Sequence, residues 1–134
     1  MVKTYNPKQV VTVVGGFILS GFADGQFVNV VPNADLFELT IGTDGEGTRS
    51  AQNNKSGQIT VSLLQSSESN SILDAFAQSG ETFPLLVKDN SGLALHSAVT
   101  AWVRRRPDAG FDRTAGNRDW TLETDELISF EGGN

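Results

Sequence analysis

Cysteine is absent from this chain. Disulfides and thiolate metal sites are therefore excluded, and a reducing cytoplasm is the plain place for its synthesis. Histidine occurs once, at His96. A zinc site would need carboxylates for its other ligands, which is uncommon, so His96 reads as a packed or solvated strand residue. Hydrophobic runs are short. The longest, residues 10–22, is broken by Thr12, Gly15, Gly16, Ser20 and Gly21 and is too brief to span a bilayer. The polar start, MVKTYNPKQ, lacks the pattern of a signal peptide. Positive charge is in deficit, with ten basic residues against sixteen acidic ones and a net charge of −6. A surface of that sign repels nucleic acid. The one basic run, Arg104-Arg105-Arg106, has no interleaved aromatics to stack on bases. Asp108 and Asp112 follow it, so its arginines are expected to pair with carboxylates.

Catalytic signatures are missing too. No G-x-S-x-G elbow places a nucleophilic serine. Gly45-Glu46-Gly47 is not followed by the Gly-Lys-Ser/Thr of a phosphate loop. Asp44 and Glu46 lack the ligand spacing of a calcium loop. The reading is therefore no catalytic residue, no cofactor and no metal.

What is present is a chain of 134 residues, 38% hydrophobic and 19% charged. That is about one domain with a modest core. Short strand-like runs dominate. Val10–Val14 is β-branched, and Gly15-Gly16 then signals a tight hairpin into 17–19. Residues 21–25 (GFADG) turn into a strand at 26–31, stopped by Pro32-Asn33. Further strands are expected at 35–41, 58–65, 83–89, 93–104 and 118–125. Residues 90–92 (NSG) read as a turn and 105–117 as a polar loop. One segment changes period: Ile72, Leu73, Phe76 and Ala77 recur at helical spacing. With Ser and Asn before them and Gly80 after, they predict a helix over Ser69–Ser79 packed by Ile72, Leu73 and Phe76. The sum is an antiparallel β-sandwich or barrel with one helix.

Two strands frame the most distinctive segment. In 35–41, Phe37, Leu39 and Ile41 alternate with Glu38 and Thr40. In 58–65, Ile59, Val61 and Leu63 alternate with Thr60 and Ser62. Period-2 alternation puts the apolar set toward a core and the polar set on the opposite face. Between them, residues 42–57 (GTDGEGTRSAQNNKSG) read as one long polar loop. Loops of that length are usually functional or disordered. Trp102 and Trp120 alternate with polar neighbours. They are read as core or subunit contacts, with a carbohydrate-binding face on a monomeric sandwich as the alternative.

Taken in order, these segments resemble the tail tube proteins of contractile-tailed phages. The resemblance rests on Val14-Gly15-Gly16, on Gly21-Phe22-Ala23-Asp24-Gly25, and on residues 42–50 with Asn53-Asn54-Lys55-Ser56-Gly57. It continues through residues 65–70 (QSSESN), Arg118-Asp119-Trp120 and Gly132-Gly133-Asn134. It spans nearly the whole chain. It implies a single tail-tube β-barrel domain over 1–134 and a structural virion role without catalysis or cofactor. Six copies would form a ring, and rings would stack into the hollow tube through which DNA passes. Type VI secretion tube proteins share that architecture. The implied partners are further copies, the sheath, tape-measure and baseplate proteins, and DNA only in transit, with no membrane. The implied location is the virion tail, after synthesis in the host cytoplasm. Under that resemblance Asp44, Glu46, Arg49, Asn53, Asn54 and Lys55 are expected at contacts between rings. Glu38, Thr40, Thr60 and Ser62 are expected to face the lumen.

Overall fold

The computed structural model describes residue 2, residues 4–90, 94–111 and 113–131. A single turn of 3₁₀ helix, Pro7–Gln9, leads into β1 (Val10–Val14). The Gly15-Gly16 corner follows, with φ of 57° and 87°. Both torsions are positive, as a two-residue turn matched to strand twist requires, and β2 (Phe17–Ile18) pairs back on β1. The chain continues through β3 (Val28–Pro32), β4 (Phe37–Ile41), β5 (Gly47–Ala51) and β6 (Gly57–Leu64). The helix α1 covers Ser69–Ser79, and β7 (Phe83–Asp89), β8 (Leu95–Arg105), β9 (Asn117–Thr124) and β10 (Ile128–Phe130) complete the order.

The main sheet is antiparallel and runs β2-β1-β7-β8-β9-β6-β3, with β10 pairing to β8. β8 belongs to two half-sheets. Its start lies between β7 and β10, with Leu95 opposite both Lys88 and Phe130. Its end pairs with β9 from Ala101 to Arg105. Register shifts on both sides of β8 mark where it bends, the usual consequence of an irregularity in a ladder. The sheet thus folds over itself. Val14, Phe83 and Leu85 from one half meet Ile59, Val61, Leu63, Trp120 and Leu122 from the other in one buried cluster. This is the expected mainly-β sandwich with one helix.

The helix closes one end of the sandwich. Leu73 is fully buried, while Ile72 and Phe76 are half-buried. Phe76 stacks on Phe83 with ring centroids 4.6 Å apart. All three expected packing residues are thus turned inward to different degrees, and Leu73 carries most of the burial. Gly80 ends the helix in the left-handed region, as Gly80 was expected to. The start differs from expectation. Glu68 occupies the cap position and its side chain caps nothing. Ser69 instead accepts the backbone N–H of Ser20 at 2.9 Å, and the Ser67 hydroxyl accepts the N–H of Ser69 at 3.2 Å.

Several sequence expectations need correction. The segment read as a loop over 42–57 contains β5, which pairs along the whole of β4 as a separate two-stranded sheet. Only 42–46 is a turn and only 52–56 a connection. Gly-Thr-Arg-Ser-Ala has little apolar content, so alternation could not reveal it. Phe37, Leu39 and Ile41 do not face the core. They are 47%, 67% and 58% exposed, because their strand is paired only with β5 and lies off the sandwich. Two elements were also missed: the 3₁₀ turn at Pro7–Gln9 and the short strand β10. The turn expected at 90–92 and the start expected for the next strand at Leu93 lie outside the described residues from Ser91 onward, as does Asp112.

Candidate assembly surfaces

The β4–β5 hairpin is built from its turn outward. Gly42 N–H donates to the Glu46 carbonyl at 2.7 Å, and Gly45 N–H to the Gly42 carbonyl at 3.0 Å. The Asp44 carboxylate accepts the Glu46 N–H at 3.2 Å, closing the turn from inside. Register then sorts the side chains. Phe37 lies opposite Ala51, Leu39 opposite Arg49 and Ile41 opposite Gly47. Glu38 lies opposite Ser50 and Thr40 opposite Thr48. Directly opposed residues share a face, so one face is Phe37, Leu39 and Ile41 with Arg49, and the other is Glu38, Thr40, Thr48 and Ser50. Arg49 lies over the Phe37 ring at 4.1 Å. Glu38 accepts a hydrogen bond from Gln52 at 3.1 Å.

Its base is stapled to the sandwich. Asn33 N–H donates to the Ser56 carbonyl at 3.0 Å, and its side chain donates to the Ser56 hydroxyl at 3.0 Å. Asn54 accepts from both the N–H and the hydroxyl of Ser56, at 3.1 and 2.6 Å. Of the six residues expected between rings, Asp44 and Asn54 therefore shape the segment. Glu46, Arg49, Asn53 and Lys55 are exposed along it. A two-stranded ribbon with an apolar face in water has no independent stability to spare. Exposed apolar faces of this kind are where contact surfaces are found.

The sandwich has two outer faces of opposite character. On the β3-β6-β9-β8 half, Asn29, Thr60 and Thr121 lie side by side, and so do Val31, Gln58, Glu123 and Trp102. Ser62 lies opposite Asp119 on the same side. This face is polar. Thr60 and Ser62 are on it, as alternation required, while Ile59, Val61 and Leu63 are fully buried beneath. Glu38 and Thr40 are on the separate hairpin. The four expected lumen residues thus fall on two sheets. The second outer face, on β2-β1-β7-β8-β10, carries exposed apolar side chains, among them Ile18, Ile128 and Phe130.

The remaining sequence candidates resolve simply. Trp120 is 4% exposed and donates its indole N–H to Asn70 at 2.9 Å. It is a core residue and offers no platform to a sugar. Trp102 is half-buried on the polar face. His96 hydrogen-bonds through Nδ1 to the Ser129 hydroxyl at 2.8 Å, with Glu131 3.9 Å from Nε2. The arginine run pairs with carboxylates as expected: Arg104 with Glu123 at 3.4 Å, Arg105 with Asp108 at 3.3 Å and Arg106 with Asp74 at 3.5 Å. An open cleft of about 650 Å³ lies between α1 and the segment after β8, lined in part by Asp74, Gln78, Arg106, Phe111 and Arg118. Among the described residues no helix is long and apolar enough to cross a membrane.

This fold is the fold of the tube proteins of contractile injection systems. The chain superposes on one from an extracellular contractile injection system, the PVC sheath/tube terminator in its extended state. The TM-score is 0.67 at 14% identity, over 97% of this chain and 99% of that one. It also superposes on the PVC sheath-tube complex in its extended state, with a TM-score of 0.63 at 15% identity over 95% and 91% of the two chains. The tube-terminating cap of the anti-feeding prophage gives 0.61 at 10% identity over 97% and 93%. Sequence makes the assignment specific. Residues 8–128 match the bacteriophage PhiTE tail tube protein family, and the chain belongs to that family. It is 34% identical to structural protein ORF10 of Pseudomonas phage KPP10, over 98% of this chain and 83% of that protein. The chain is a structural protein of a phage tail.

Proposed function

We propose that this protein builds the hollow inner tube of a contractile tail as stacked hexameric rings through which DNA passes, without catalysis. The observation that carries the reading is the division of one sandwich into a polar outer face and an apolar one, with an amphipathic hairpin standing free of both. A subunit of a closed tube needs that division. One face borders water in the bore and the other surfaces meet protein. Free sheet edges among the described residues, at β2, β3 and β10, support it. Closure into a barrel shared by all subunits removes such edges. The polar face of β3, β6, β9 and β8 is assigned to the lumen, with Thr60 and Ser62 on it. Glu38 and Thr40 reach the bore only if the hairpin does. Arg105 lies opposite Thr121 at the end of this face, but it is paired with Asp108 and Arg104 with Glu123. Arginines held by carboxylates do not grip phosphates, so DNA can slide.

The segment 42–57 is assigned to contacts between rings, with Glu46, Arg49, Asn53 and Lys55 as its exposed polar groups. Sheath, tape-measure and baseplate proteins are the remaining partners, in the virion tail after synthesis in the host cytoplasm. Native mass spectrometry and negative-stain microscopy of assembled protein test the reading. Six-fold rings or rods of uniform bore are expected. A closed dimer as the largest species overturns it.

A further inference from the structure

The outer face of the β2-β1-β7-β8-β10 half-sheet is apolar across five strands. The registers align Ile18, Val13, Leu86, Ser97 and Ile128 in one continuous row. The next row is Val11, Lys88, Leu95 and Phe130. Their neighbours Thr12, Val14, Leu85 and Val87 are buried, so alternation turns both rows outward. Ile18 is 69%, Ile128 54% and Phe130 59% exposed. In water such a face is an unpartnered interface.

We infer that this face is the seat for the apolar face of the β4–β5 hairpin of a second copy, an inference that rests on the tube reading above. Two unpartnered apolar surfaces occur on one chain, and their dimensions agree. β4 has the five residues Phe37–Ile41, roughly 17 Å at about 3.3 Å per residue. The seat is five strands wide, about 19 Å from first to last at roughly 4.8 Å per strand. Charge is complementary as well. The hairpin carries Arg49 on its apolar face and Asp44 and Glu46 at its tip. The seat carries exposed Lys88 in its second row, whereas Glu131 lies on the other side of β10, with its carboxylate 3.9 Å from His96 Nε2. The acidic tip set against Lys88 opposes unlike charges.

Symmetry favours a copy of this chain over an unrelated occupant. Hairpin and seat are different patches, so the contact is head-to-tail. Such contacts propagate into rings or filaments instead of stopping at a two-fold dimer. That is the behaviour a tube subunit needs.

The test uses variants that place a charge on each apolar face, and the natural lack of cysteine. Leu39→Glu spoils the hairpin and leaves the seat; Ile128→Glu spoils the seat and leaves the hairpin. Both positions are exposed, so each variant should keep the parent melting temperature. Each alone should lose assembly. Mixed, they should form a one-to-one dimer, since one good hairpin and one good seat remain. The corresponding Leu39→Cys and Ile128→Cys proteins, mixed under assembly conditions, should give a disulfide-linked dimer that neither gives alone. Tubes that form normally from Ile128→Glu, or that leave Ile128→Cys open to a thiol reagent, overturn the seat and leave the tube reading standing. So does a face protected only when sheath protein is added. A parent protein that never assembles overturns both.

Discussion

The indole N–H of Trp120 donates to the side-chain oxygen of Asn70 at 2.9 Å, joining β9 to the first turn of α1. The amide of Asn70 donates in turn to the Leu64 and Ser67 carbonyls at 3.0 and 3.1 Å. One asparagine therefore satisfies a buried donor and the carbonyls of the connection between β6 and α1. Removing it leaves the indole unpaired in a site that is 4% exposed. Asn70→Ala should cost about 2–3 kcal/mol, near the upper end for an orphaned buried donor. In a double-mutant cycle with Trp120→Phe the costs should be clearly non-additive, because the second change removes the orphan. Additive losses in urea denaturation would show that the bond contributes nothing of its own.

Thr12 offers the opposite case. It is fully buried on β1, and its hydroxyl has no hydrogen-bond partner among the described residues. Thr12→Val keeps the shape and removes a desolvated hydroxyl, so it should raise stability by about 1 kcal/mol. A lower denaturation midpoint would show that the hydroxyl is satisfied by water.

The Gly15-Gly16 corner separates strain from crowding. Both residues have positive φ, so an alanine at either is strained by about 1–2 kcal/mol. At Gly15 the new Cβ would also fall 2.6 Å from Cζ of Phe76, whereas at Gly16 it would meet nothing within 4 Å. Gly15→Ala should therefore lower the melting temperature more than Gly16→Ala. Phe76→Leu should narrow the gap. Equal shifts would show that the Phe76 ring moves aside freely.

Removal of the hairpin should separate folding from assembly. The apolar side chains of β4 contribute nothing to the core, and the hairpin leaves the sandwich at one stapled base. Replacing residues 37–51 with a short Gly/Ser link should leave the melting temperature within a few degrees of the parent and abolish rings. Circular dichroism and negative-stain microscopy check the two halves. Loss of the fold would show that the hairpin stabilises its own subunit.

Lysines on the polar face test the bore. Thr60 and Thr121 are directly opposed on β6 and β9 and half-buried. Thr60→Lys with Thr121→Lys should leave tubes intact and reduce DNA delivery, more for the pair than for either alone. Glu38→Lys, on the hairpin, should act mainly on assembly. Unchanged infectivity of particles shown to contain both lysines would place this face away from DNA.

Sequence alone determined a good deal. Period-2 runs with Ile59, Val61, Leu63 and Leu122 set the strands of the sandwich, because a strand with one buried face writes its register into the chain. The Gly-Gly corner and the helix over Ser69–Ser79 with its Gly80 stop were legible for the same local reason: torsion and periodicity are properties of a few neighbouring residues. Arg105 could be matched to Asp108 by its spacing, whereas the partners of Arg104 and Arg106, Glu123 and Asp74, came only with the fold. What alternation could not say was which partner a strand would have. Phe37, Leu39 and Ile41 alternate as cleanly as Ile59, Val61 and Leu63, yet their apolar face is exposed in the isolated subunit. The difference lies in long-range pairing. β6 is flanked by β3 and β9 and faces a core, whereas β4 has only β5. Likewise Ile18, Val13, Leu86 and Ile128 are spread along the chain from residue 13 to residue 128 and become one surface only when β8 bends and β10 returns to its side. A pattern of apolar side chains records that a face will be covered. Only the tertiary structure decides whether the cover belongs to the same chain.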